Sequence, residues 1–223
     1  MPDISLPTLR IVPHRFRRQD LCAGHVALDF VNTAAGLNRD PRDWIENFPG
    51  LIDWAKMAGI LDPELIESSA DHDRADPAAG AAALDRARAL RSALYTLVHH
   101  RRAALASPAD AVATLQLWCR RAGAALTLVP QESGILRKSL SACGLDAVAA
   151  AVAIEAADLL SRPLDNMLGI CGGHNCGWVF IDTSATRRRR WCDMKTCGNA
   201  AKASRHYARM RDGRAAERTA LGR

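Results

Sequence analysis

The chain has 223 residues, 48% of them hydrophobic and 5% aromatic, with 30 Lys and Arg against 24 Asp and Glu. That is enough apolar material for a core and too much Ala and Leu for a disordered chain, and no run approaches the roughly 20 apolar residues of a bilayer span. The positive charge is local: residues 171–223 hold 12 Lys and Arg against 4 Asp and Glu, which leaves the first 170 residues slightly acidic.

The first 20 residues carry prolines and charges where a signal peptide needs an apolar stretch, so a cytoplasmic protein is expected. HVALDFVNT, residues 25–33, reads as a short buried helix ending near Asn32. NRDPRDW follows as a turn around Pro41. FPGLIDWAKMAGIL has helical spacing with Gly59 as its C-cap, and Asp62-Pro63 opens another helix. Over 77–105, Leu84, Ala87, Leu90, Leu94, Leu97 and Val98 form one apolar face. Ser107-Pro108 restarts a helix carrying Ala111, Leu115, Trp118 and Cys119, with Gly123 ending it. ALTLVPQESGILRKSL reads as two strands about a turn, and Gly144 to Leu160 as an Ala-rich helix. The stretch RPLDNMLGI, residues 162–170, is the expected boundary between an α-rich part (1–165) and a basic part (166–223). The fold class is mainly α with a small β component.

Seven cysteines are an odd number, so they cannot all pair within one chain, and reduced thiols are expected. Four lie together: Cys171-x4-Cys176, then 15 residues, then Cys192-x4-Cys197. Two short pairs a hairpin apart suit tetrahedral Zn²⁺ held by thiolates. Four sulfurs close the coordination sphere, so a structural ion is expected rather than a catalytic one. GWVFI reads as a strand and RRRRW as its return. Cys22, Cys119 and Cys143 are too scattered to join, and His174 reads as a polar residue of the first knuckle. Trp178, Phe180 and Trp191 are expected to form a small apolar patch, from which an exposed tryptophan could stack on a base.

Arg187, Arg188, Arg189 and Arg190 would alternate along the return strand. Lys202, Arg205 and Arg209 recur at helical spacing on the next helix. With Lys195 they are candidates for phosphate contacts on nucleic acid. A solvated helix, an acidic protein partner and RNA remain alternatives. No Ser/His/Asp order, phosphate loop or HExxH pattern appears, so enzymatic activity is not expected.

CGGHNCGWVFIDTSATRRRRWCDMKTCGNAAKASRHYAR resembles the CGNR zinc finger. LDFVNT with the helices after it resembles the ABATE domain, which precedes that finger in bacterial proteins classed as stress-induced transcription regulators. The pattern departs at Ala200, where the finger's signature has Arg. The resemblance implies an N-terminal sensor domain, with Asp29, Asn32 and Thr33 as candidates for a ligand pocket or for local capping, and a C-terminal finger that binds DNA. The partners it leaves open are DNA, a small-molecule effector and a second copy of the chain in a homodimer; a membrane is not among them.

Overall fold

The computed structural model describes residues 4–164 and 167–221, with side chains described as far as Arg211. Six helices build the body: α1 (Val26–Val31), α2 (Phe48–Ala58), α3 (Pro63–Ala75), α4 (Pro77–Arg102), α5 (Ala109–Ala125) and α6 (Ala147–Leu160). Asn47 accepts the Gly50 amide at 2.9 Å ahead of α2, and Gly59 closes that helix at φ 64°, a conformation that costs other residues about 1–2 kcal/mol. Asp76 caps α4 through the Ala79 amide at 3.0 Å. With 26 residues, α4 is about 39 Å long, and its expected apolar face is buried throughout. In α6 the residues from Ala147 to Ala153 are all buried, because α1, α2, α4 and α5 surround it. Alanine allows that close approach of helices.

Asp62 stands at the N-cap of α3 ahead of Pro63 as expected, though its side chain makes no cap bond and pairs instead with Arg137. One local expectation is corrected. Gly123 does not end α5, which runs on to Ala125. A glycine inside a helix costs about 1 kcal/mol, and burial of Trp118 and Ala122 holds the turn that contains it.

The strands are short. β1 (Arg10–Ile11), β2 (Ala34–Ala35) and β3 (Arg42–Asp43) pair in the order β1-β3-β2, so the stretch read as a turn contributes a strand. β4 (Thr127–Pro130) and β5 (Leu136–Ser139) form the expected hairpin. β6 (Leu168–Ile170) pairs antiparallel with β7 (Val179–Ile181), Leu168 opposite Ile181 and Ile170 opposite Val179.

This last pair overturns the expected hairpin. β7 pairs backward with β6, so the boundary stretch ends in a strand of the C-terminal part; Asp165 and Asn166 within that stretch lie outside the described residues. Arg187 to Arg190 form a loop, not a return strand. Asp182 accepts the Ser184 and Arg189 amides at 2.9 and 2.7 Å, which curls the chain, and Arg187 takes φ 49°. Apolar β6 can cover β7 against the core, whereas four arginines would bring charge into it.

α7 (Asn199–Leu221) leaves from a helical turn, Met194–Gly198, and packs mainly against that turn. Lys202 through Arg211 are exposed. One apolar core joins Phe30, Trp54, Leu90, Leu94 and Leu159 of the helices to Cys171, Val179, Phe180 and Ile181. The far edge of the Phe180 ring lies against Gly169, where a Cβ would strike it. The boundary near residue 165 therefore divides the sequence without dividing the core. Among the described residues, no helix is long and apolar enough to cross a membrane.

Candidate metal centre

Cys171 follows β6, Cys176 leads into β7, Cys192 closes the arginine loop, and Cys197 sits in the turn before α7. Their four Sγ atoms lie within 4.8 Å of one another. Cys176 to Cys192 and Cys192 to Cys197 are each 3.7 Å. Disulfide sulfurs would be about 2.05 Å apart, so these are free thiols. Thiolates about 2.3 Å from one tetrahedral Zn²⁺ stand about 3.8 Å apart. The donor set is all sulfur, which favours zinc over magnesium or calcium. His174 turns away toward Arg39.

Four thiols this close cannot all ionise unaided. Hydrogen bonds from Cys176 and then Cys192 stabilise a thiolate on Cys171, whose pKa falls to about 2. The same contact with Cys171 holds Cys176 and Cys192 above the usual thiol range, and burial raises Cys197. A dication among them removes the conflict, since each thiolate would then face positive charge.

Local backbone bonds aim the sulfurs. The Cys171 amide donates to Trp178 O at 2.8 Å and the Cys176 amide to Gly173 O at 3.2 Å. In the second pair, Asp193 accepts the Thr196 amide at 2.8 Å, and the Gly198 amide reaches back five residues to Asp193 O at 3.1 Å. That wide turn carries Cys197 inward and starts α7. At Gly177, φ 80°, a Cβ would meet Leu37 Cβ at 2.8 Å and Asn38 Oδ1 at 2.9 Å. The first knuckle thus rests directly on the N-terminal part.

A family model for ABATE, described as "Putative stress-induced transcription regulator", matches residues 24–163. The chain belongs to the ABATE family. The CGNR zinc finger model matches residues 167–210, the stretch that brings the four sulfurs together. No curated protein matches the chain.

The ABATE segment supplies much of what holds the finger. Asn38 donates to Cys171 O at 3.2 Å and Gly173 O at 2.6 Å, and the Leu37 amide donates to Cys176 O at 2.8 Å. Asn32 acts as a one-residue strand: its amide nitrogen donates to Val179 O and its oxygen accepts the Val179 amide, both at 2.9 Å. Trp44 packs edge-on against Trp178 at 5.2 Å. Beneath them, Arg91 grips the buried Asp43 carboxylate with bonds of 2.8 and 2.6 Å, and Arg88 adds a third at 3.0 Å. Burial, the largest single effect, would raise the Asp43 pKa, but Arg91, the Ile45 amide and Arg88 together hold the group below the ordinary carboxylate range.

Of the two roles open to Asp29, Asn32 and Thr33, a ligand pocket or local bonding, the structure gives them internal bonds. Asp29 accepts the Ala23 amide at 3.0 Å; Thr33 donates to Phe30 O at 2.7 Å and accepts from Arg91 at 2.8 Å. All three are buried, and buried polar groups bond to what lies nearest.

The basic residues divide. Arg187, Arg188 and Arg190 are exposed on the arginine loop, Lys195 on the helical turn Met194–Gly198, and Lys202, Arg205 and Arg209 on α7. Arg189 faces inward: it donates to Trp191 O at 2.8 Å, to Ile181 O and Cys22 O at 3.3 Å and to Cys192 O, and it stacks over Phe180 at 4.5 Å. It braces the second cysteine pair and is not free for phosphate. Trp178, 9% exposed, cannot stack on a base either. Sequence reasoning missed Asn38 and the docking role of Asn32. The density of polar residues in NRDPRDW was the available signal.

Proposed function

We propose that the protein is a zinc-binding transcription regulator in which the ABATE segment carries a DNA-binding CGNR finger. In this reading Cys171, Cys176, Cys192 and Cys197 hold one Zn²⁺ as thiolates. The closed sulfur set makes the ion structural, fixing the turn from which α7 departs. The observation that carries the reading is that departure: an exposed helix bearing Lys202, Arg205 and Arg209 leaves directly from the turn that brings Cys197 to the other three sulfurs. A helix with its basic residues in solvent contributes little to a core and suits a nucleic-acid groove. Arg187, Arg188 and Arg190 on the arginine loop and Lys195 on the preceding helical turn flank it. The ABATE segment acts as the sensing part.

Reduced protein after exhaustive dialysis is expected to retain about one zinc per chain, and a value near zero removes the metal from the reading. Duplex affinity is expected to fall steeply with salt as released counterions lose their advantage; a flat response removes DNA. Ala200, exposed at the start of α7, shares a groove with Arg190 and Arg205. Ala200→Arg is expected to strengthen duplex binding several-fold and steepen the logarithmic salt slope by about one. An unchanged slope would put residue 200 away from the phosphates.

A further inference from the structure

A cleft of about 1080 Å³ opens between the end of α4 and the arginine loop. Arg101 and Arg102 line it from the ABATE segment, and Arg187 to Arg190 from the finger. The carboxylate on its wall, Asp182, is already engaged by Ser184 and the Arg189 amide. Arg189 is braced as described above. Among the described residues, no carboxylate pairs with the other five arginines. Like charges gathered in one concavity repel one another and concentrate anions from solution.

The cleft is more than a charged patch. Leu164, Leu168 and Ile170 give it an apolar wall beside the guanidiniums. Ala104 at φ 53° and Arg187 at φ 49° both line it, and they are the two non-glycine residues with left-handed backbone among those described. Each lies at a sharp bend next to residues that present arginines to the cleft. Such conformations are costly and collect at functional sites.

We propose that this cleft binds a compact, multiply phosphorylated anion with an apolar portion, of about the size of a nucleoside polyphosphate. The volume sits at the upper limit of a small-molecule site, commonly about 300–1,000 Å³. The guanidiniums would take the phosphates in forked pairs, while the apolar wall takes the remainder. A duplex is a poorer fit, because it presents its charges along a convex rod and this site is short and concave. Arg187, Arg188 and Arg190 also belong to the DNA reading, so occupancy weakens duplex binding; that consequence alone rests on that reading.

The test is calorimetric titration of the full-length, zinc-loaded chain with inorganic tripolyphosphate and with ATP as probes. One site per chain is expected, with ATP at least as tight as tripolyphosphate. Arg101→Ala with Arg102→Ala is expected to weaken both at least tenfold at unchanged zinc content and Tm, and the paired lysine variants to restore part of the loss. Should the alanine pair lower Tm, Arg187→Ala with Arg188→Ala on the opposite wall carries the same expectation. Absence of binding, or equal binding by the parent and these variants, overturns the site. So does an equal loss in Lys202→Ala with Arg209→Ala, which would mean diffuse attraction only. A duplex defect in the Arg101/Arg102 variant without tripolyphosphate binding by the parent would give the cleft to DNA, against the proposal. A parent chain that binds tripolyphosphate but shifts no duplex defeats the DNA reading alone.

Discussion

Arg189 is the third of four identical side chains, yet its guanidinium turns inward onto the carbonyls of Trp191 and Cys192 and of Ile181 and Cys22. Lysine at that place keeps the charge and loses the fork. Arg189→Lys is expected to cost about 2 kcal/mol through carbonyls left without a charged donor, a fall in Tm of about 4–8 °C, with weaker zinc retention. Arg188→Ala should leave both unchanged while lowering duplex affinity; equal effects of the two variants on Tm and zinc retention would deny the inward role. Asp29 differs from its sequence reading in another way. Burial raises its pKa to about 7, against about 3.9 in an unfolded chain. Between those values the folded form holds a proton that the unfolded form has released, so stability falls as pH rises across the window and levels above it, by about 4 kcal/mol in all. Asp29→Asn keeps an oxygen for the Ala23 amide and has no charge to bury. It is expected to melt higher than the parent at pH 8 and close to it near pH 4; a constant offset would mean that Asp29 does not titrate in that window.

At the scale of elements, helices with apolar periodicity and chemical caps were legible, because those signals are local. α4 and α2 follow from their spacing and from Gly59. The pairing of β7 was not legible, since a three-residue strand takes whichever edge the fold brings to it. Here one edge is β6 and the other is completed by Asn32. Replacing Asn32 by Ala leaves a buried amide and carbonyl of Val179 without partners, at an expected cost of about 2–5 kcal/mol. Hydrogen exchange provides the local measurement: the Val179 amide should lose protection by orders of magnitude more than amides in α4. Equal loss in both would signal global destabilisation and leave the pairing without special weight. The basic helix α7 was readable as a helix, but only the structure shows it standing clear of the body.

For the molecule as a whole, one core joins the ABATE helices to β7, with Phe180 fully buried between them. Chelation of the metal should therefore lower the stability of the entire chain. A single cooperative calorimetric transition is expected with zinc bound, moving to lower temperature as a unit when zinc is removed; two separate transitions would mean that the segments fold independently. A boundary near residue 165 could be read from charge and cysteine content, and the matching family segments meet there. The absence of a boundary in the packing could not be read, because apolar residues such as Val179 and Phe180 carry no label for the surface they will cover.

The sequence by itself determined the α-rich class, the family and the four cysteines of the candidate metal centre, since helical periodicity and thiol spacing are properties of neighbouring residues. Only the tertiary structure decided which arginine of four turns inward, that Asn32 completes a strand, and that Arg101 and Arg102 face the arginine loop across one cleft. Each of these depends on distant segments meeting, and a buried polar group takes its role from whatever the fold sets beside it.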